Sequence, residues 1–564
     1  GNRSKEKPGG PFRTRSQVLG DIINSRPVVA GPKDDYGHGV KIDTSAAATA
    51  FAASYRAYLV AKSTRATTVF IGANDGMLHA FDGRGAGGGA ELFGFIPSSV
   101  VGKVGQLAKP AYVHQFYVDG ELNIGDARLG SWKTVLVGSP GAGGKGVFAL
   151  DVSSPATLAA DNLLWELTSA DNDNIGQSIG RVEIIRGEDN NWYAAFGNGF
   201  NSVNGNPTLM LVDLGTGLVV GQYEADDGGN FSNGLGQIVG LDLNFNGKAD
   251  TIYGGDLRGN IWKFDLSGSS SASWGVAFGA GGATPLFTAR DRNGNPQQVT
   301  GGFEVASGPD NGVLLYFGTG SYFLVGDNNV PPTPPVQTVY AVLDRNVAIT
   351  GGRAALQEQR ITAETAAATG SGVTSARDLT KNGVDYTTKN GFYLDLAVQA
   401  GGPVTGLGER FVGVPRVQSG KVFFTTFQPI GSACNPGGIN FLYGLDAVTG
   451  AASLGSIRAG SAGNVVCGAN CGGIALGAGN DAAAGPVRET VMIVPPRQCV
   501  RGVDPGCTAP PEPCVAGSPG CPSPVPLPSD NQLYTPCSVK IAAAGSPEFT
   551  LPRPCGRQSW RQVR

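Results

Sequence analysis

The segment from Asp242 to Asp250 reads Asp-Leu-Asn-Phe-Asn-Gly-Lys-Ala-Asp and carries side-chain oxygens at spaced positions. Asp242, Asn244, Asn246 and Asp250 stand at positions 1, 3, 5 and 9, and Lys248 at position 7 offers its backbone carbonyl. Calcium takes about six to eight oxygen ligands from a short, sharply turning loop of this kind. The segment therefore predicts a Ca2+ site formed by these five residues.

The loop departs from an EF-hand at position 12, where Tyr253 stands in place of the bidentate glutamate. Gly247 at position 6 can take the positive φ that the turn needs. The following residues, Thr251-Ile252-Tyr253, are typical of a strand, which predicts a calcium loop on a β scaffold. Two charged ligands indicate weak affinity, on the order of micromolar to millimolar. The alternative is an Asn-Gly hairpin turn with incidental acids.

Few other residues are arranged for catalysis or metal binding. The three histidines, His38, His79 and His114, form no H-x-x-x-H pair, which argues against a histidine-based zinc or iron site. The chain has no P-loop. The acidic segments 171–174 and 291–294 lack the alternating donors or the closing carboxylate of a metal loop, so we interpret them as solvated turns.

The amino-acid composition limits the possible fold classes and binding partners of this chain. The 564 residues are 41% hydrophobic and 15% charged, which is typical of an ordered protein, and 88 glycines suit many tight turns. A net charge of −3 without a Lys/Arg run excludes the electrostatic footprint of nucleic-acid binding. No stretch approaches the ~20 apolar residues of a membrane span. The Ala-rich segment Ala46 to Ala61 predicts one helix.

A pattern of strand, Gly-rich turn, strand and closing Asp recurs along the chain. Repeats of this kind, which bury their faces only by stacking, are typical of propeller blades. We therefore predict an all-β, modified seven-bladed β-propeller, with the seventh blade closed by pairing residues 22–30 with residues 490–494. The six copies run over residues 69–82, 134–151, 192–213, 250–265, 312–344 and 421–446.

All nine cysteines lie in the last third of the chain, in Pro-, Gly- and Ser-rich surroundings that favour disulfides over zinc. Disulfides indicate an oxidising compartment and hence secretion, and the odd number leaves one thiol unpaired or paired outside this chain. Residues 495–528 are predicted to form a Pro/Cys-rich insertion on the propeller that is cross-linked by disulfides. The cysteines are Cys434, Cys467, Cys471, Cys499, Cys507, Cys514, Cys521, Cys537 and Cys555.

Several motifs in this chain resemble those of the PilY family, the tip-associated adhesins of type IV pili. The resemblance covers almost the whole chain. It is carried by residues 19–28 (LGDIINSRPV), 72–82 (GANDGMLHAFD), 141–146 (GAGGKG), 196–202 (FGNGFNS), 254–265 (GGDLRGNIWKFD), 318–320 (GTG) and 556–561 (GRQSWR).

The resemblance implies a quinoprotein-dehydrogenase-like propeller over residues 19–564, after a flexible segment at 1–18, whose EF-hand-like loop binds calcium. It implies a protein that is not an enzyme, that acts with the pilus machinery and minor pilins, and that lies outside the cell at the pilus tip or outer-membrane surface. Calcium would regulate pilus extension, retraction and twitching motility, together with attachment to host or abiotic surfaces.

This chain also departs from the family pattern. Members usually carry an N-terminal von Willebrand factor A-like domain that is missing here, and the start at Gly1 leads us to expect a mature fragment or an excised domain. Some members carry an Arg-Gly-Asp motif, whereas this chain has Arg186-Gly187-Glu188.

Two alternative functions remain open at the level of sequence. A quinoprotein dehydrogenase is disfavoured because such enzymes have adjacent cysteines against the quinone, and this chain has none. An adhesive, lectin-like propeller with purely structural calcium would look the same in sequence.

Overall fold

The fold is described by a computed structural model of most of the chain. It covers residues 4–40, 43–226, 228, 232–323, 326–367, 371–402, 404–430, 437–460, 463–476, 485–488, 491–493, 538–542 and 548–552. Most elements in these ranges are strands. The α-helices described there are α1 (Ala46–Lys62) and α2 (Ser98–Val104), and the other helical elements are short 3-10 turns. The predicted all-β class and the predicted Ala-rich helix are therefore confirmed.

Four antiparallel sheets follow one another along the first half of the chain. The first contains β1 (Val28–Ala30), β2 (Thr68–Gly72), β3 (Leu78–Asp82) and β4 (Glu91–Phe95). The second contains β5 (Leu122–Leu129), β6 (Ser131–Gly138), β7 (Gly146–Asp151) and β8 (Leu163–Thr168). The third contains β9 (Glu183–Arg186), β10 (Trp192–Gly197), β11 (Thr208–Asp213) and β12 (Val219–Glu224). The fourth contains β13 (Leu235–Leu241), β14 (Thr251–Asp256), β15 (Asn260–Asp265), β16 (Gly275–Val276) and β17 (Phe287–Thr288).

Two further blades share one continuous sheet. Its strands are β18 (Glu304–Ser307), β19 (Val313–Gly318), β20 (Thr338–Asp344), β21 (Gln357–Ala366), β22 (Val373–Leu379), β23 (Gly391–Val398), β24 (Arg410–Phe411), β25 (Arg416–Gln418), β26 (Lys421–Pro429), β27 (Gly438–Asp446) and β30 (Cys471–Leu476). The order β18-β19-β20-β23 makes one blade, and the edge strands β24 and β25 with β26, β27 and β30 make the next. The hairpin of β21 and β22 lies between them, with β21 parallel to β23 and β22 antiparallel to β30.

The last sheet has the order β29-β28-β33-β32-β31. Its strands are β28 (Arg458–Ala459), β29 (Asn464–Val465), β31 (Val491–Ile493), β32 (Ser538–Ala542) and β33 (Phe549–Pro552). Counted over the described residues, the strands therefore make seven blades. The predicted closure is wrong, because β1 pairs with β2 in the first sheet and β31 pairs with β32 in the last.

Each of the six sequence repeats is the central hairpin of one of the first six blades. The closing aspartate of a repeat shapes the turn that follows it: Asp213 Oδ1 accepts hydrogen bonds from the Thr216 backbone N–H and hydroxyl, both at 2.8 Å. Gly217 then takes a φ of 77°, which suits glycine. Asp446, Thr449 and Gly450 repeat this arrangement in the sixth blade. The Asp-x-x-Thr-Gly pattern thus encodes a local hairpin turn.

Apolar side chains fill the spaces between successive sheets. Six buried clusters lie between blades, and each cluster contains residues of two blades that follow one another along the chain. Trp262, which is 0% exposed, belongs to the cluster between the third and fourth blades. Burial of such large side chains contributes about 2 to 3 kcal/mol each, so stacking is the main stabilising contact between blades.

Helix α1 packs on the second blade through buried polar contacts. Ser45 caps its N-terminus by accepting the Ala48 N–H. The Tyr55 hydroxyl donates to Asp126 Oδ2 at 2.8 Å, and Lys62 forms an ion pair with the same carboxylate. Since Lys62 and Asp126 are 2% and 0% exposed, this pair anchors the helix in the interior.

Cys467 and Cys471 form a disulfide, which agrees with the predicted disulfide chemistry. The other seven cysteines and the insertion at 495–528 lie outside the described residues. In the segment 1–18, the Arg13 backbone N–H donates to Ala108 O at 3.0 Å; the boundary at residue 19 stays a prediction.

Candidate metal centre

The predicted loop joins β13 and β14, the first two strands of the fourth blade. Leu241 pairs with Thr251, so the segment from Asp242 to Asp250 is the connection of a hairpin. Gly247 adopts a φ of 80°, as the predicted sharp turn requires. The strand after the loop is β14, which confirms the β scaffold and explains the absence of an EF-hand glutamate at Tyr253.

The side-chain oxygens of the loop turn back onto its own backbone. Asp242 accepts the N–H groups of Asn246 at 3.0 Å and Gly247 at 2.7 Å. Asn244 Oδ1 also accepts the Asn246 N–H at 3.0 Å, and Asn246 Oδ1 accepts the Lys248 N–H at 2.9 Å. The three side-chain oxygens at positions 1, 3 and 5 are therefore gathered by one turn.

Asp250 closes the loop and is almost fully buried, with 5% of its surface exposed. Its Oδ2 accepts the N–H groups of Leu243 at 2.9 Å and Asn244 at 3.2 Å. Its Oδ1 is buried and has no partner with hydrogen-bond geometry among the described residues, although the neighbouring Thr251 side chain acts to lower the pKa of Asp250. Burial, and then the charge of Asp242, raise the pKa of Asp250 above its ordinary value. A buried carboxylate oxygen without a partner is costly unless a cation contacts it.

Glu188 is part of this centre, although sequence reasoning missed its role. Its Oε1 accepts the side-chain amide N–H groups of Asn246 at 2.6 Å and Asn244 at 3.2 Å. Lys248 Nζ lies 3.3 Å from Oε2, so the lysine charge is paired outside the loop. Burial favours a higher pKa for Glu188, but these contacts outweigh it and hold the pKa below its ordinary value.

These contacts fix which way the asparagine amides face. Because both NH2 groups point to Glu188, both amide oxygens face the loop. The sequence showed Glu188 only as the third residue of Arg186-Gly187-Glu188, and nothing local to the loop signals it.

The donor set fits a hard cation. The loop offers two carboxylates, two amide oxygens and the Lys248 carbonyl, which are the ligand types calcium prefers. Within the described residues no group of three or more His, Cys, Asp or Glu could hold a metal ion, and the loop itself contributes two such residues, Asp242 and Asp250. The buried Oδ1 of Asp250, which has no hydrogen-bond partner among the described residues, is an oxygen that a cation could contact.

Comparisons with known proteins agree with this architecture. A family model of the PilY1 beta-propeller domain matches residues 19–370. A type IV pilus biogenesis factor PilY1 homolog of Xylella fastidiosa is 41% identical, covering 98% of this chain and 37% of the relative. Type IV pilus biogenesis factor PilY1 of Pseudomonas aeruginosa strain PAK is 35% identical, covering 80% of this chain and 40% of the relative.

The crystal structure of the Pseudomonas aeruginosa PilY1 C-terminal domain superimposes with a TM-score of 0.66 at 28% identity. The match covers 89% of this chain and 95% of that domain.

Fold and site together define a β-propeller that carries an EF-hand-like oxygen loop in its fourth blade. The chain belongs to the PilY1 family. The relatives described above are named as pilus biogenesis factors and not as enzymes. The chain spans 37% to 40% of the length of these curated relatives.

Proposed function

We propose that this chain is the C-terminal propeller of a type IV pilus biogenesis factor and that it binds one Ca2+ through Asp242, Asn244, Asn246, the Lys248 carbonyl and Asp250. The names of the relatives and the family model support the pilus role. The single observation that carries the metal site is the buried Oδ1 of Asp250, which has no hydrogen-bond partner in the described residues.

A bound calcium ion would supply positive charge between two carboxylates that otherwise repel each other. Asp242 and Asp250 come from opposite ends of the loop, so contact with a common cation ties β13 to β14. Glu188 keeps the two asparagine oxygens facing the loop. Since the ion binds the ordered loop and not a disordered one, binding stabilises the fourth blade by mass action.

The proposed setting follows from the family. A type IV pilus factor acts at the cell surface, so we propose an extracellular location and contact with the pilus machinery, including minor pilins, and with host or abiotic surfaces. Calcium occupancy is proposed to control pilus extension, retraction and twitching motility. Neither of the two described α-helices has the length and hydropathy to cross a bilayer.

Calorimetric titration of calcium into metal-stripped protein tests the site. We expect wild type to bind one ion and Asp250→Ala to bind none. Asp250→Asn is the conservative companion, because an amide oxygen still accepts the Leu243 and Asn244 N–H groups while the charge is lost. Circular dichroism confirms that each variant is folded.

Asp291→Asn is the matched control. Asp291 Oδ1 accepts the N–H groups of Asn293 at 2.8 Å and Asn295 at 2.9 Å in a turn of similar design outside the proposed site. This variant should bind calcium as wild type does. Calcium affinity retained in folded Asp250→Asn and Asp250→Ala would refute the ligand assignment.

Twitching assays then separate regulation from a structural role. Cells whose pilus factor carries Asp250→Asn should assemble a surface-exposed, folded protein and yet lose calcium-dependent control of pilus retraction. Normal twitching in such cells, alongside lost calcium binding, would reduce calcium to a structural ion in an adhesive propeller.

A further inference from the structure

A cavity of about 840 Å³ opens along the inner edges of several blades. Its lining includes residues from β5, β9, β13, β18 and β25, each an edge strand of its blade, and from the start of α1. A volume of this size is typical of sites for small organic ligands. The proposed calcium ligands Asp242, Asn246 and Lys248 lie at one side of the cavity, and the rest of its lining is outside the proposed calcium site.

Most of the basic residues in this cavity face a carboxylate. Three arginines have an acidic neighbour close to ion-pair distance, so their charges are compensated within the protein. The pairs are Arg26 and Glu121 at 3.6 Å, Arg181 and Glu183 at 3.9 Å, and Arg416 and Glu304 at 3.7 Å.

Arg128 and Arg186 are different, because neither forms an ion pair in the described part of the chain. Both line the cavity. The Arg186 guanidinium donates to Asn190 Oδ1 at 2.8 Å, and its Nε is buried without a hydrogen-bond partner among the described residues. Burial, and then the neighbouring charge of Arg128, lower the pKa of Arg186. Glu188 is the carboxylate whose charge acts on Arg186, but it is held by Asn244, Asn246 and Lys248. Two guanidinium groups that line one cavity and have no carboxylate at ion-pair distance form a site suited to an oxyanion.

Apolar surface lies beside this cationic pair. The Phe51 ring packs against the Arg186 guanidinium, with 4.2 Å from Cζ to the ring centroid, and holds it in place. Leu241 and Phe245 line the same cavity, and Phe245 is 51% exposed. An aromatic side chain with half of its surface in water can still gain contact area from a ligand.

We propose that this cavity binds a small amphipathic ligand whose oxyanion head, a carboxylate or a phosphate, lies between Arg128 and Arg186. The apolar body of the ligand lies against Phe51 and Phe245. Each planar guanidinium donates two hydrogen bonds to such a head, whereas a neutral head gains neither charge nor this geometry. The site is therefore selective for anions.

Calorimetry with three probes of the same size tests the proposal on the full chain. The probes are 2-naphthyl phosphate, 2-naphthoate and the uncharged 2-naphthol. We expect at least one anionic probe to bind about tenfold or more tightly than naphthol, because charge-assisted hydrogen bonds are lost with the charge. The tighter of the two anions shows which oxyanion the site takes.

Variants locate the binding. Arg128→Gln and Arg186→Gln should each weaken the anionic probe about tenfold and leave naphthol unchanged. Arg458→Gln is the control, because Arg458 is exposed on β28 and does not line the cavity. Equal binding of naphthol and both anions to wild type, no binding at all, or unchanged anion affinity in both cavity variants would overturn the proposal.

Discussion

Glu188 accepts a hydrogen bond of 2.6 Å from the side chain of Asn246 and thereby joins the third blade to the proposed calcium loop of the fourth. The same carboxylate holds Asn244 and Lys248. A residue at the end of one blade thus orients two proposed ligands on the next. The proposed metal centre therefore includes residues of two blades rather than of one loop.

We predict that Glu188→Ala weakens calcium binding without abolishing it. The amide groups of Asn244 and Asn246 lose the acceptor that orients them, while Asp242 and Asp250 remain. Calorimetry should show about a tenfold higher Kd, as the loss of a supporting contact around a metal typically produces.

Glu224→Ala is the matched control for this change. Glu224 Oε1 accepts from the Asn206 amide at the same distance, 2.6 Å, away from the loop. Its removal should leave calcium affinity unchanged. Equal calcium affinity of Glu188→Ala and wild type would show that Glu188 has no orienting role.

Calcium should raise the thermal stability of this protein. At a free concentration about 100 times the Kd, mass action stabilises the bound state by about 2.7 kcal/mol, which corresponds to roughly 2 to 4 °C in Tm. Scanning calorimetry of metal-stripped protein with added calcium measures the shift. Asp250→Asn should show no shift, and a shift of the same size in that variant would place the stabilising ion elsewhere.

His79 should make the first blade more stable at low pH. The imidazole is 4% exposed, with Nδ1 2.7 Å from Glu91 Oε1 and Nε2 3.1 Å from Asp75. Burial opposes protonation, but the hydrogen bonds with Asp75 and Glu91 outweigh it and raise the pKa of His79. The stabilisation is therefore complete below the unfolded pKa of about 6.5 and is lost as pH rises through the folded value.

Urea unfolding of wild type and His79→Gln from about pH 5 to about pH 9 checks this dependence. Wild type should be the more stable at the acid end by about 1 kcal/mol, and the difference should shrink as pH rises. His114→Gln is the control, since His114 meets Asp21 at the surface, where ion pairs contribute little. A pH-independent difference between wild type and His79→Gln would contradict the prediction.

Lys62→Met should destabilise the protein by about 3 to 5 kcal/mol, because Asp126 would remain buried without its counter-charge. Chemical denaturation measures the loss. Lys540→Met serves as the control, since Lys540 and Glu548 are 42% and 50% exposed and their ion pair should contribute less than about 1 kcal/mol. Similar losses in both variants would show that burial of the Lys62 pair is not decisive.

The sequence predicts those parts of the fold that depend on neighbours in the chain. The central hairpins were found because closing aspartates such as Asp213 and Asp446 accept hydrogen bonds from the next few residues. The sharp turn at Gly247 and the strand that follows it were predicted for the same reason. Helix α1 also follows from local composition, in its run of alanines from Ala46.

Features that depend on distant partners were missed. Closure of the propeller was predicted through pairing of residues 22–30 with residues 490–494. An apolar strand can pair with any free sheet edge, however, and β1 pairs with β2 instead. Glu188 lies 56 residues from Asn244 in the chain, so their contact exists only after the third and fourth blades pack. The β21 and β22 hairpin likewise has no counterpart in the repeat that the other blades share.

That hairpin makes the fifth and sixth blades a single hydrogen-bonded body, since β21 pairs with β23 and β22 pairs with β30. Separating these two blades breaks backbone ladders, whereas separating other neighbours breaks mainly side-chain packing. We therefore expect the amides of β23 and β30 to exchange with deuterium together, as one cooperative unit. Under a pulling force, these two blades would therefore be the last neighbours in the propeller to separate.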